Sequence, residues 1–236
     1  MTARPTLQPG LVQVAGIADA AEAALVEACG VRYLGFPLRL PVHREDLSEP
    51  EAAAIIQALR APTYAVLITY LGEASVIAEF CHALGARIVQ LHGEISAAEL
   101  RRLRAREPAL TIVKSLVVGL HPVGTLERMV RDLSPYVDAF ITDTFAPETG
   151  ASGATGRMHD WAVSRRLVEL STRPVILAGG LTPANVRAAI LAVRPHGVDV
   201  HTGVEDGAGR KSREKVLAFV AEAQAGFQAV REGAGG

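Results

Sequence analysis

Two short stretches near the end of the chain have the composition of a phosphate grip. Residues 174–178 run into Gly179-Gly180-Leu181, and residues 197–200 run into His201-Thr202-Gly203-Val204-Glu205. An apolar run, a glycine-containing turn and then a helix-forming segment let backbone N–H groups approach an anion closely, and the positive end of the following helix adds to the attraction. Gly179, Gly180, Thr202 and Gly203 are therefore candidate phosphate ligands. Gly153 and Gly156, in the run Gly153-Ala154-Thr155-Gly156, can supply further main-chain donors. A grip of this kind needs no lysine. The seven histidines are scattered, without carboxylate or thiol partners at ligand spacing, so neither a metal site nor a cofactor is expected.

Turns like these need rigid elements on either side. Short apolar runs without period-two alternation, the pattern of parallel strands covered on both faces, fall at 11–15, 32–36, 63–69, 87–91, 110–115, 138–142, 174–178 and 197–200. Helical stretches lie between and after them at 18–29, 49–60, 74–84, 96–106, 123–133, 160–170, 183–193 and 211–230. Ser48-Glu49-Pro50 and Thr182-Pro183 each combine a capping residue with an early proline, a helix-start signal. Eight strand–helix units in 236 residues predict an α/β fold, a single-domain (β/α)8 TIM barrel, rather than an open doubly wound sheet. The domain spans 1–236, with an N-terminal extension over 1–10 and a flexible tail over 232–236. Barrels carry their chemistry in the loops at the C-terminal ends of the strands, and the long ones here are 37–48 and 144–159. The two glycine turns then follow strands seven and eight, where such barrels hold phosphate.

Composition narrows the class. With 49% hydrophobic and 21% charged residues the chain can bury a full core, and a net charge of −1 with no Lys/Arg stripe argues against nucleic acid as the main partner. No apolar run approaches the roughly 20 residues of a membrane span, and residues 1–10 lack the apolar core of a signal peptide, so a cytoplasmic protein without membrane contact is expected. Cys29 and Cys81 fall in helical patterns and are expected to be core thiols.

Seven motifs, in order, resemble those of the phosphoribosylanthranilate isomerase family of tryptophan biosynthesis. They are Ala15-Gly16-Ile17 with the run to Phe36, VQLHGE at 89–94, DAFITDT at 138–144, Gly153-Ala154-Thr155-Gly156, His159-Asp160-Trp161, ILAGGLTPANV at 176–186 and GVDVHTGVE at 197–205. The resemblance implies a barrel and an Amadori rearrangement, in which a phosphorylated N-ribosyl aminoaldose becomes an aminoketose. That reaction needs an acid to open the sugar ring and a base to remove the C2 proton. Asp143 falls on the family's acid position, the alternative being a helix-capping or loop-fixing aspartate. At the family's base position, Lys-Ile-Cys-Gly is replaced by Gln13-Val14-Ala15-Gly16, and a methyl group takes no proton.

His201 is the candidate replacement base, because the end of strand eight lies beside strand one in a closed barrel, or else a phosphate ligand. His159 is expected to cap the helix that begins at Asp160. Arg44 stands at the spacing of the family's arginine for the anthranilate carboxylate, with Arg39 and His43 in the same loop. His92 either touches substrate or braces the sheet, and Thr69-Tyr70 replaces the family's asparagine after strand three. The expected partner is a small-molecule phosphorylated sugar, and the protein is a monomer or homodimer. Two alternatives remain open: a diverged paralogue using isomerase or lyase chemistry on another phosphosugar, and a non-catalytic phosphosugar-binding barrel.

Overall fold

Parallel strands account for the main sheet. They are β1 (Leu11–Ala15), β2 (Tyr33–Pro37), β3 (Tyr64–Thr69), β4 (Ile88–Leu91), β5 (Thr111–Val118), β6 (Ala139–Ala146), β8 (Val175–Leu177) and β9 (Gly197–Val200). A two-residue strand, β7 (Ala151–Ser152), pairs antiparallel with the end of β6. The computed structural model describes residues 4–41, 46–146, 151–152 and 160–233. The strands pair in the order β5-β4-β3-β2-β1-β9-β8-β6, and β5 also pairs with β6. The sheet therefore closes on itself, and the eight-stranded parallel barrel expected from the sequence is what forms.

Helices α1 (Ala20–Ala28), α2 (Glu49–Ala58), α3 (Ala74–Leu84), α4 (Ala97–Arg106), α5 (Val123–Leu133), α6 (Trp161–Leu170), α7 (Val186–Val193) and α8 (Arg213–Gly233) surround it. Their starts follow local chemistry. Ser48 and Glu51 form a reciprocal capping box at α2, Asp19 accepts from the Glu22 N–H at 2.8 Å, and Ser96 accepts from the Glu99 N–H at 3.2 Å. Two starts differ from the sequence expectation. Helix α6 begins at Trp161, one residue later than expected, with Asp160 as its cap, whose carboxylate accepts from the Ala162 N–H; His159 lies outside the described residues. Helix α7 begins at Val186 rather than at Pro183, because the Asn185 side chain closes a turn over the residues between. At the other end of the chain, α8 stays helical to Gly233, past the point where a tail was expected.

Side chains alternate across each strand, one set facing the helices and the other the barrel interior. Phe36, Leu67, Val89, Ile112, Phe140, Leu177 and Val198 belong to the layer between strands and helices. Leu11, Tyr33, Val66, Ile88, Val113, Ile141 and Ile176 fill the interior. The N-terminal segment closes the floor of the barrel. Leu7 joins the interior cluster, the Tyr33 hydroxyl donates to the Thr6 carbonyl at 3.2 Å, and the Thr111 hydroxyl donates to the Pro5 carbonyl at 2.7 Å. Cys29 and Cys81 are buried and free, and burial pushes the Cys81 thiol up to about 12, as expected of core thiols. Among the described residues no helix is long and apolar enough to cross a membrane.

Candidate active site

Above the apolar floor the interior changes character. Gln13, Gln90, Ser115, Asp143 and Asp199 are all buried and all fall on inward-facing positions of their strands. The Gln13 amide donates to Gln90 Oε1 at 2.9 Å across the barrel. Polar groups buried at this density are held by one another, and they surround the C-terminal mouth where barrels react substrates.

Asp143 lies in the extended part of β6, past the point where the sequence pattern ended the strand. Pairing with β5 continues through Val117↔Asp143 and Val118↔Thr144, which fixes the aspartate to the rigid sheet rather than to a loop. One carboxylate oxygen accepts from the Thr144 N–H at 2.7 Å. The other lies 3.8 Å from His92 Nε2, while His92 Nδ1 contacts the Ser115 hydroxyl at 2.9 Å and the ring packs 5.0 Å from that of Tyr70. Burial pushes the Asp143 carboxyl up to about 7, against the smaller opposing effect of the Thr144 N–H. A carboxyl of that strength is partly protonated at neutral pH and can donate a proton. His92 thus stands beside the candidate acid.

His201 lies where closure of the barrel places it. A Cβ built on Gly16 would overlap its imidazole, so the ring rests on the end of β1 next to Ala15. Nε2 is 3.3 Å from Glu205 Oε1, and the same oxygen takes an ion pair of 2.6 Å from the buried Lys211 ammonium. The imidazole is held by that carboxylate.

The two glycine turns meet. Gly179 and Gly180 both have positive φ, 97° and 64°, and Thr202–Val204 forms a single 3-10 turn after β9. A Cβ on Gly203 would run into the Leu181 carbonyl, so the turns after β8 and β9 pack main chain against main chain. Asn185 Oδ1 accepts from the Thr182 N–H at 2.8 Å and its amide donates to the Gly180 carbonyl at 3.0 Å, which fixes the first turn. Of the residues expected from the sequence, Asp143, His92, His201, Gly179, Gly180, Thr202 and Gly203 share the C-terminal mouth. Arg44, His43, Gly153 and Gly156 lie outside the described residues. Arg39, from the same loop as Arg44, stacks over the Phe80 ring at 3.8 Å and pairs with Glu49 at 2.8 Å. Among the described residues no group of three or more His, Cys, Asp or Glu could hold a metal ion.

Asp199 is a further acid at the mouth, not among the residues expected from the sequence. It is buried, and burial together with the neighbouring Asp143 charge pushes its carboxyl up to about 7, against smaller effects from the Gln13 amide and Lys211. The signal was there: an acid at the inward position of Gly197-Val198-Asp199-Val200, a strand otherwise apolar.

Residues 13–222 match the N-(5'-phosphoribosyl)anthranilate (PRA) isomerase family. The chain belongs to that family. It is 36% identical over 223 residues to N-(5'-phosphoribosyl)anthranilate isomerase 2 of Methanosarcina mazei, covering 93% of this chain and 96% of the relative. It is 37% identical over 222 residues to the Haloferax volcanii isomerase, covering 93% and 95%. Among solved structures it is similar to phosphoribosyl anthranilate isomerase from Thermotoga maritima, with TM-score 0.77 and 28% identity over 91% of this chain and 98% of that one. A phosphoribosyl anthranilate isomerase crystallised with reduced 1-(o-carboxyphenylamino)-1-deoxyribulose 5-phosphate superimposes with TM-score 0.74 and 26% identity, with the same coverage of 91% and 98%. The Thermotoga maritima isomerase is described as a dimer from which monomers were generated.

Proposed function

We infer that this barrel is a phosphoribosylanthranilate isomerase of tryptophan biosynthesis. It catalyses the Amadori rearrangement of N-(5'-phosphoribosyl)anthranilate, an aminoaldose, to the corresponding 1-deoxyribulose 5-phosphate, an aminoketose. The observation that carries this reading is the family match over residues 13–222, reinforced by relatives of that activity along almost the whole chain.

The buried site supports a mechanism. Asp143, protonated, gives its proton to the ribose ring oxygen as the bond from that oxygen to C1 breaks. The nitrogen lone pair then forms the C1=N double bond of a protonated Schiff base. A base removes the C2 proton, the C–H electron pair becomes the C1=C2 bond, and the C1=N pair returns to nitrogen. The resulting enolamine tautomerises to the ketone by gaining a proton at C1 and losing one from the C2 hydroxyl. His92, on the far side of Asp143 from the Thr144 N–H, keeps the acid oriented.

The turns carrying Gly179, Gly180, Thr202 and Gly203 take the 5-phosphate, with Gly153 and Gly156 as further donors, and Arg44 takes the anthranilate carboxylate. Ala15 stands in this reading where the family's thiol base would be, so the C2 proton goes to another residue at the β1–β9 seam, and His201 is the residue there that the sequence singles out. The experiment is turnover of freshly formed phosphoribosylanthranilate, followed by loss of its fluorescence. Wild-type protein should turn over, and Asp143→Asn should lose about two to four powers of ten in kcat. Absence of wild-type turnover, with activity appearing in Ala15→Cys, would instead favour a phosphosugar-binding barrel.

A further inference from the structure

Among the described residues, Asp199 is the one strongly perturbed carboxyl at the mouth that the mechanism above leaves unused. Its place follows from register. Thr142 pairs with Leu177, and Leu177 with Val198, so one residue further on Asp143, Ala178 and Asp199 stand in a single row across β6, β8 and β9. All three are inward positions, and the residue between the two acids carries only a methyl group, so nothing large separates them. On its other side Asp199 pairs with Gln13 of β1, one inward step below Ala15. Asp143 and Asp199 are each 8% exposed. Among the described residues Asp199 Oδ1 is buried with no hydrogen-bond partner, an arrangement that costs free energy unless something else occupies that oxygen. A proton acceptor waiting for a C–H bond looks like this, because a carbon acid offers no hydrogen bond in the resting state.

Resting on the isomerase reading, we propose that Asp199 is the general base that takes the C2 proton, with Asp143 as the acid.

The groups around the pair differ. Asp199 faces Asp143 on β6 and the neutral Gln13 amide on β1, with the Lys211 ammonium from the segment leading into α8 favouring its anion. Among the described residues, Asp143 has the Thr144 N–H and the His92 ring beside it. When the two acids share one proton, repulsion keeps both from ionising together; the turnover starts from the form with the proton on Asp143 and the charge on Asp199, which Lys211 favours. One turnover moves a proton from Asp143 to the ring oxygen and one from C2 to Asp199. The enolamine then regains a proton at C1 from Asp199 and releases its hydroxyl proton to Asp143, which restores both groups. His201, bound to Glu205 and resting on Gly16, positions the substrate above them and is not the base.

The test compares wild type, Asp199→Asn, His201→Ala and Gln13→Lys across pH 5 to about 9.5, using phosphoribosylanthranilate with hydrogen or deuterium at ribose C2. Folding is checked by circular dichroism. Asp199→Asn should lose about two to four powers of ten in kcat, with KM within about threefold of wild type. Its C2 isotope effect should rise, since proton removal becomes fully rate-limiting; a merely structural defect would leave that effect unchanged. His201→Ala should lose less than about tenfold. Gln13→Lys places an ammonium beside the carboxylate and should move the acidic limb of kcat/KM down by about one pH unit or more, which reads the same group even should Asp199→Asn fold poorly. Wild-type turnover with Asp199→Asn within about threefold of it and an unmoved acidic limb in Gln13→Lys would overturn the assignment and leave the isomerase reading intact. Collapse of His201→Ala beside an active Asp199→Asn would give the role to His201. A wild type that turns over no phosphoribosylanthranilate would remove the isomerase reading itself.

Discussion

At Gly16 the chain leaves β1 with φ of 74°, and the His201 imidazole occupies the space where a Cβ would project. The left-handed conformation costs an L-residue about 1–2 kcal/mol, and the steric overlap adds the cost of turning the imidazole away from Glu205. Gly16→Ala is therefore expected to lower the unfolding midpoint and to reduce kcat/KM by about tenfold. Because part of the damage is contact with one ring, Gly16→Ala combined with His201→Ala should be more stable than the sum of the single changes, and a double-mutant cycle by urea unfolding checks it. Residues of this kind separate into those the sequence discloses and those it does not. Asp143, His92 and His201 sit inside matched motifs, so their neighbourhood was legible. Asp199 sits in a matched motif too, but its importance depends on Ala178 and Gln13, which only strand register brings to its sides. The Gly16–His201 contact depends on two turns 185 residues apart folding onto each other, and no local pattern announces it.

The elements were read well where periodicity decides and less well where a side chain overrules it. All eight barrel strands are legible as apolar runs, yet β5 and β6 extend to Val118 and Ala146, beyond the expected ends at 115 and 142. Val113↔Ala139 through Val118↔Thr144 remain paired, so the apolar end of β5, Leu116-Val117-Val118, holds the polar end of β6, and this extension is what carries Asp143 on a strand. The turn before α7 is the opposite case. Thr182-Pro183 has the form of a helix start, but Asn185 takes both the Thr182 N–H and the Gly180 carbonyl and delays the helix to Val186. That turn presents Gly179 and Gly180 to the site. Each of the two hydrogen bonds contributes about 1 kcal/mol, so their removal leaves the turn less preorganised by about 1–2 kcal/mol. Asn185→Ala should raise KM for phosphoribosylanthranilate about five- to thirtyfold and weaken competitive inhibition by inorganic phosphate, with kcat nearly unchanged. An unchanged KM would separate this turn from phosphate binding.

For the molecule as a whole, the paired acids tie the site to stability. Asp143 and Asp199 have ordinary values of 3.8 in the unfolded chain and about 7 in the folded protein, so folding favours their protonated forms. Below pH about 4 both are protonated in either state and their contribution to stability is fully present. As pH rises toward 7 the unfolded chain has already released its protons while the folded protein keeps them, so stability falls, and it levels off once the folded groups ionise. Burial also raises the Asp46 carboxyl, which adds to the fall in the same direction, whereas other neighbouring groups do not. The Asp19 carboxyl, held by the Glu22 N–H and Arg210, lies below its usual range, and the Lys114 ammonium, buried with its protons on the Leu91 and Ser115 carbonyls, is pushed down only to about 8. At roughly 1.4 kcal/mol per pKa unit, the pair should make the protein less stable at pH 8 than at pH 5 by an amount on the order of a few kcal/mol. Asp143→Asn and Asp199→Asn should each flatten that fall, and the double variant should flatten it most, leaving the share of Asp46. Urea unfolding at constant ionic strength measures it directly. If the double variant lost as much stability between pH 5 and pH 8 as the wild type, the two carboxylates would not be the groups that hold protons in the folded barrel, and the division of acid and base between them would lose its physical basis.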